Sequence, residues 1–80
     1  MIENKVKKVM STIFNVDLNE ISDNSSPNNL DNWDSMAHMN LIVGLEEEFD
    51  LLFDANEITK MINFKDICSI INSKIALTKS

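Results

Sequence analysis

Apolar residues at helical spacing occur in three separate stretches of the chain, and this pattern constrains the fold most strongly. The first stretch predicts a helix over residues 2–15, the second a helix over residues 35–49, and the third a helix that begins after Asn63. A shorter pattern over residues 55–61 predicts one or two further helical turns. With one glycine and one proline in 80 residues, the chain lacks the turn residues of an all-β fold. We therefore expect an all-α domain over residues 1–80, a four-helix bundle with a short third helix.

Each predicted long helix carries one stripe of core residues. For the first and last helices these are Ile2, Val6, Val9, Met10, Ile13, Phe14 and Phe64, Ile67, Cys68, Ile71, Ile75. Asn63 is a candidate N-cap of the last helix, with Asp66 in its first turn.

Residues 16–34 show no periodicity and are rich in Asn, Asp and Ser, so they predict a long first loop. Loops of this length are uncommon in small domains and are often functional. We expect apolar side chains within it to anchor it to the core: Leu18, Ile21, Leu30 and Trp33.

The second helix has two apolar faces. At about 100° per residue, one face is formed by His38, Leu41, Ile42, Leu45 and Phe49, which we expect to face the core. A separate strip is formed by Met36, Met39 and Val43, flanked by Glu46 and Glu47, with Ser35 at its upper edge. This strip is either a docking surface, for which methionine is well suited, or additional core in a more tightly wrapped bundle.

Acidic residues dominate the middle of the chain. The net charge is −6, and no lysine or arginine lies between Lys8 and Lys60, whereas eleven of the thirteen acidic residues do. Such a surface disfavours nucleic acid and anionic membranes and favours protein partners with basic patches. No apolar run is long enough to span a membrane, and the N-terminus lacks the apolar core of a signal peptide. We expect a cytoplasmic protein.

Asp34-Ser35 stands where the loop meets the second helix, and both residue types are ordinary helix caps. Pattern alone favours plain capping. A catalytic pair of Ser35 with His38 is not expected, because the two side chains diverge within one helical turn. His38 and Cys68 are better explained as packing residues.

The segment from Asp23 to Asp34 has twelve residues, the length of a calcium-binding EF-hand loop. Asp23, Ser25, Leu30 and Asp31 fit its spacing, but Asn28 replaces the required glycine, Pro27 stands at the fifth position and Asp34 replaces the final glutamate. We predict no metal site.

The run Asp34-Ser35-Met36, followed by Leu41-Ile-Val-Gly-Leu-Glu46-Glu-Glu-Phe49-Asp50, strongly resembles the acyl carrier proteins, whose hallmark is Asp-Ser-Leu and a helix that ends in Leu-Glu-Glu-Glu-Phe. The resemblance covers essentially the whole chain. Trp33, Ala37 and Asn40 depart from the usual pattern, and the run from Trp33 to Ile42 looks more like carriers of specialised or surface-polymer pathways or of amino-acid activation.

The resemblance implies that Ser35 carries 4′-phosphopantetheine, installed from coenzyme A by a phosphopantetheinyl transferase that uses Mg²⁺. It also implies that Asp34 is the motif acid, which caps the helix and is recognised by the transferase. The arm would hold an acyl or aminoacyl group as a thioester for loading ligases or transferases and downstream acyl-processing enzymes. By the same resemblance, Phe53 and Ile58 would lie opposite the strip, contacting partners and gating a cavity for the acyl chain. A monomeric, non-enzymatic carrier is expected. The alternative is a helical interaction module that uses the acidic, methionine-bearing face without a prosthetic group.

Overall fold

The computed structural model describes residues 2–30 and 32–79, with side chains as far as residue 77. Its α-helices are α1 (Ile2–Phe14), α2 (Ser35–Phe49), α3 (Ala55–Lys60) and α4 (Phe64–Lys79). All regular structure in the described residues is helical, which confirms the expected all-α architecture with a short third helix. In these residues no helix is both long and apolar enough to cross a membrane.

The core lies between α1, α2 and α4, whose apolar stripes face one another. The buried apolar residues are Val6, Met10, Phe14, Ile21, Trp33, Leu41, Ile42, Leu45, Phe53, Met61, Phe64, Ile67, Cys68 and Ile71. Helices α1 and α2 approach closely at Gly44, where a Cβ atom would lie 3.0 Å from Cγ1 of Val9. Glycine at this point allows the two backbones to pack without displacing Val9.

The first loop is more ordered than its sequence predicts. Residues Leu18–Glu20 form a short 3₁₀ turn, in which the backbone N–H of Asp17 donates to the Glu20 carboxylate at 3.0 Å. Ile21 and Trp33 are buried and Leu30 is partly buried, as expected of anchors. The prediction for Leu18 was wrong, because the 3₁₀ turn leaves it 46% exposed.

Two polar contacts fix this loop to the helix ends. The side chain of Asn32 donates to the carbonyl of Phe14 at the end of α1 (2.8 Å). The carbonyl of Ser25 accepts from the N–H of Phe64 at the start of α4 (3.0 Å). Ser25 is itself buried, and its Oγ accepts from the N–H of Ser22 at 2.8 Å. The loop is therefore held at both its middle and its end.

Side-chain caps set the starts of the later helices. Asn63 Oδ1 accepts from the N–H of Asp66 at 2.7 Å, which confirms the predicted cap of α4. Helix α3 begins with a reciprocal capping box, in which Asp54 and Glu57 each accept from the other's backbone N–H. These local bonds explain why a helix of six residues has a defined start.

Candidate functional site

Ser35 is the first residue of α2 and is exposed. Asp34 adopts extended backbone angles before it, and Asp34 Oδ1 accepts from the N–H of Ala37 at 2.8 Å. The carbonyl of Asp34 accepts from the N–H of His38, also at 2.8 Å. The predicted N-cap is therefore confirmed, and it fixes the point at which the helix begins.

The start of α2 suits a negatively charged group. The first N–H groups of an α-helix have no intrahelical acceptor, and the aligned peptide dipoles place partial positive charge there. In this first turn the Asp34 carboxylate accepts from the backbone N–H of Ala37. Ser35 and Met36 are exposed to solvent. A phosphate ester on Ser35 would thus lie beside the positive end of the helix.

An open groove of about 590 Å³ begins at Ser35 and runs between α2 and α3; we call it the Ser35 groove. Its walls are mainly apolar and include Pro27, Trp33, His38, Met39, Ile58 and Ile62. Met39 and Ile62 are about half exposed, and Ile58 is partly buried. The groove could accommodate a flexible apolar or amphipathic group that starts at Ser35.

His38 is not available as a base for Ser35. Trp33 Nε1–H donates to His38 Nδ1 at 3.0 Å, and His38 Nε2 lies 3.1 Å from the carbonyl oxygen of Ile58. Because an indole N–H can only donate, Nδ1 must accept, and the ring proton lies on Nε2, which donates to Ile58. Both imidazole nitrogens are therefore occupied within the protein.

The second face of α2 is exposed along its length. Met36 is 76% exposed, and Met39 and Val43 are each 51% exposed. The reading of these residues as additional core was therefore wrong. Their surface continues into a second open groove, of about 790 Å³, that is lined by Val43, Glu46, Glu47, Asp50, Leu51, Leu52 and Lys74.

Two residues assigned to this face have structural contacts that the sequence did not reveal. Glu46 is partly buried, and its Oε2 accepts from the N–H of Phe53 at 3.0 Å, which fixes the connection between α2 and α3. Phe53 is only 8% exposed, so little of its ring is open to a partner, and its expected part in partner contact and in gating an acyl cavity stays a prediction. Glu47, in contrast, is exposed.

Cys68 is buried in the core stripe of α4, as predicted. Burial, followed by the negative charges of Glu3 and Asp23, raises the pKa of its thiol to about 11. Since the thiolate is the nucleophilic form, Cys68 is chemically inert near neutral pH.

The described residues contain no cluster of three or more His, Cys, Asp or Glu side chains that could hold a metal ion. Ser25, a position tested for calcium binding, is buried in loop hydrogen bonds, and Asp31 lies outside the described residues.

Sequence reasoning missed two features near the site, the bridge from Trp33 through His38 to Ile58 and the buried Ser25. A tryptophan five residues before a histidine follows no local pairing rule, and the carbonyl acceptor on Ile58 is invisible in a sequence. Ser25 lies in a run of polar residues whose composition indicated only a loop.

Comparisons with known proteins show which family the chain belongs to. No protein-family model matches it. The acyl carrier protein of Buchnera aphidicola subsp. Schizaphis graminum (strain Sg) is 32% identical over 73 residues, which cover 91% of this chain and 92% of that protein. This chain belongs to the acyl carrier protein family. The solution NMR structure of the holo acyl carrier protein from Geobacter metallireducens agrees in fold, with a TM-score of 0.84 and 30% identity over 95% of this chain and 87% of the other.

As an acyl carrier protein, this chain is a carrier and not an enzyme, and the resemblance stated from its sequence is confirmed. Its function is to hold acyl groups as thioesters on covalently bound 4′-phosphopantetheine. Acyl carrier proteins interact in general with phosphopantetheinyl transferase and with acyl-processing enzymes.

Proposed function

We propose that Ser35 is the attachment point of the phosphopantetheine arm. The observation that carries this proposal is the position of Ser35 as an exposed first residue of α2, directly after its Asp34 cap. In the transfer, a bond forms between Ser35 Oγ and a phosphorus atom of coenzyme A. The phosphorus–oxygen bond inside the coenzyme's diphosphate breaks, adenosine 3′,5′-bisphosphate leaves with the bridging oxygen, and the serine proton is lost. Mg²⁺ and the transferase supply the catalysis.

The residues around Ser35 fit the group. The phosphodiester would be anionic, and it would lie at the positive end of the α2 dipole, next to the first-turn N–H groups. Asp34 is held by its bond to Ala37, which fixes the start of the helix and with it the backbone of Ser35. When bound, the arm supplies the thiol that carries an acyl or aminoacyl cargo.

Partner enzymes would dock on the exposed strip of Met36, Met39 and Val43. The strip is bordered by Glu47 and by the groove that reaches Asp50, so it combines apolar contact with negative charge. Complementary charge speeds encounter and keeps docking reversible, which suits a carrier that visits several enzymes. We therefore propose partners with basic patches that surround an apolar contact: the transferase, a loading ligase or transferase, and downstream acyl-processing enzymes. Glu46 lines the same groove as Val43, and Ile58 lines the same groove as Met39; both residues are partly buried.

Three further predictions belong to this proposal. One connected core joins α1, α2 and α4, which supports a single domain over residues 1–80. A monomer is expected, because the core is buried within one copy of the chain. A cytoplasmic location is expected from the sequence.

Intact-mass measurement tests the attachment. The protein is incubated with coenzyme A, Mg²⁺ and a phosphopantetheinyl transferase of broad specificity, and we expect one phosphopantetheine adduct per chain. The adduct should be absent from Ser35→Ala and present on Ser69→Ala, a matched change at an exposed serine of α4. An adduct on Ser35→Ala, or none on the unaltered protein, would refute the proposed site.

A further inference from the structure

Three aromatic rings lie in sequence from the core to the wall of the Ser35 groove. Phe14 is fully buried, and its ring centroid lies 5.0 Å from that of Trp33, with 28° between the planes. The centroids of Trp33 and His38 are 6.1 Å apart, with 21° between the planes. His38 is the last ring of this stack, and it lines the groove that begins at Ser35.

Hydrogen bonds lock the outer two rings across three elements. Trp33 comes from the loop, His38 from α2, and the acceptor carbonyl of Ile58 from α3. The imidazole thus links α2 to α3 through hydrogen bonds, and the indole N–H fixes it in one tautomer. We call this arrangement the Trp33–His38–Ile58 bridge.

The bridge controls the space beneath the groove. A chain that passed from Ser35 into the core between α2 and α3 would have to displace the His38 ring and break its bond to Ile58. Trp33, only 4% exposed, would then lose the acceptor of its N–H, and a buried donor without an acceptor is costly. The apolar wall of the Ser35 groove already removes part of an acyl chain from water, so only the remaining apolar area could offset this cost when the chain enters the core.

We infer that the Trp33–His38–Ile58 bridge is a specificity-determining element that keeps the cargo on the surface, in the Ser35 groove, and suits this carrier to short or polar acyl groups rather than to long aliphatic chains. The inference rests on the proposed attachment at Ser35. It identifies His38 as a positioning residue, because the imidazole acts by holding α3 against α2.

Cargo of two lengths tests the inference. Acetyl and octanoyl arms are loaded onto the protein from the corresponding acyl-coenzyme A by the transferase, and the thermal midpoint of each form is measured. With the bridge intact, we expect the two midpoints to agree and the Trp33 Nε1–H resonance to be unchanged by the longer chain. A higher midpoint for the octanoyl form, with shifted methyl resonances of Leu41 and Met61, would overturn the inference.

Variants at position 38 supply the second measurement. In His38→Ala the imidazole that links Trp33 to Ile58 is absent, so the longer chain can enter between α2 and α3. We therefore expect the octanoyl form to become more stable than the acetyl form. In His38→Gln, whose amide can still accept from Trp33 and donate to Ile58, the two forms should again agree. The comparison is between two loads on the same variant, so any loss of stability from the substitution itself cancels. An octanoyl chain that has no greater effect in His38→Ala than in the unaltered protein would contradict a role for the bridge.

A chemical attachment separates this inference from the proposed function. Ser35→Cys can be joined to a methyl or an octyl group with alkyl methanethiosulfonates, because the buried Cys68 thiol does not compete. This form needs no transferase, so it reports on the bridge even if Ser35 accepts no phosphopantetheine. We expect the same midpoints for both groups with His38 present, and a rise for the octyl group in the His38→Ala background. A rise with His38 in place would overturn the inference independently of the arm.

Discussion

The Lys74 ammonium contacts both carboxylate oxygens of Glu57, and this ion pair joins α4 to α3. The Lys74 ammonium lies 2.9 Å from Oε1 and 3.0 Å from Oε2 of Glu57, and it also lies over the ring of Phe53, 5.6 Å from the centroid. A helix of six residues is too short to be stable alone. The short third helix, which forms one side of the Ser35 groove, is therefore held by contacts to its neighbours.

This ion pair predicts an acid-dependent component of stability. The pKa of the Glu57 carboxyl is lowered from its ordinary value of 4.5, most strongly by the hydrogen bond from Lys74 and then by the hydrogen bond from the backbone N–H of Asp54. A carboxyl whose pKa is lowered by folding stabilises the protein above its unfolded pKa, and the contribution is lost as the pH falls through the lowered, folded-state value. We expect Glu57→Gln to reduce the free energy of unfolding by roughly 0.5 kcal/mol at neutral pH, the size typical of partly exposed pairs. The difference from the unaltered protein should vanish at pH values well below 4.5.

Urea unfolding over a pH series measures this difference. Gln at position 57 can still accept from the N–H of Asp54, so the substitution removes the charge and leaves the cap. The matched control is Glu48→Gln, at an exposed position of α2. A Glu57→Gln effect that stayed constant from neutral to acidic pH would contradict the ion-pair explanation.

The contact between α1 and α2 predicts coupled effects at Gly44 and Val9. Replacing a glycine by alanine inside a helix ordinarily stabilises it by about 1 kcal/mol. At Gly44 we expect most of this gain to be missing, because the new Cβ would lie 3.0 Å from Val9 Cγ1. In a Val9→Ala background the gain should return. Equal effects of Gly44→Ala in both backgrounds, measured by chemical unfolding, would show that the two sites are independent.

Because Cys68 is buried, we expect thiol reagents to detect only the terminal thiol of the phosphopantetheine arm. The pKa of Cys68, raised from 9.0 to about 11, lowers the thiolate fraction about a hundredfold at a given pH, and burial further limits access. The native apo protein should therefore react very slowly with Ellman's reagent, whereas the phosphopantetheinylated form should show one fast thiol. The Ser35→Ala variant, treated with coenzyme A and transferase, serves as the control. A fast thiol in native apo protein would refute the assignment of Cys68 as inert.

Charge reversal at neighbouring glutamates separates docking from folding. Glu47 is exposed beside the apolar strip, while Glu48 is exposed on a different side of α2, about 100° further around the helix. We expect Glu47→Lys to slow phosphopantetheinylation at low salt and Glu48→Lys, with the same change of net charge, to have a smaller effect. Added salt should reduce the difference, since it screens surface charges. Equal rates for the two variants at low salt would count against docking on the strip.

We expect charge reversal at Glu46 to affect stability, unlike charge reversal at Glu47. The Glu46 carboxylate accepts from the N–H of Phe53, so Glu46→Lys removes a structural bond as well as a charge. We expect this variant to lose about 1 kcal/mol of stability, visible as a lower thermal midpoint, whereas Glu47→Lys should keep its midpoint. Equal midpoints for the two variants would show that the bond to Phe53 contributes little.

The helices were predicted closely because their signals are local. Helix α2 runs from Ser35 to Phe49 as expected, since the Asp34 cap and the apolar period both lie within the segment itself. The predicted end of α1 was one residue too long, and α4 begins directly after its Asn63 cap. Exposure of Met36, Met39 and Val43 was foreseen as one of two readings, because periodicity separates helix faces without showing which faces find a neighbour.

The candidate site was less predictable than the helices. Ser35 and Asp34 were identified from the sequence motif, and their roles in attachment and recognition stay predictions. Leu18 was expected to be buried, but the 3₁₀ turn over Leu18–Glu20 leaves it exposed. The spacing of apolar residues in the loop does not encode that turn. The burial of Phe53 and its bond to Glu46 were likewise not visible in the sequence.

The sequence by itself determined the all-α class, the helix starts, the acidic middle of the chain and the position of Ser35 at a helix N-terminus. These follow from residue order within short segments, where caps and periodicity act. Only the tertiary structure decided what His38 does, that Glu46 holds Phe53, and that Lys74 reaches Glu57. The bonds from His38 to Ile58 and from Lys74 to Glu57 each join residues far apart in the chain. Such pairs form only when packing of the core brings α2, α3 and α4 together.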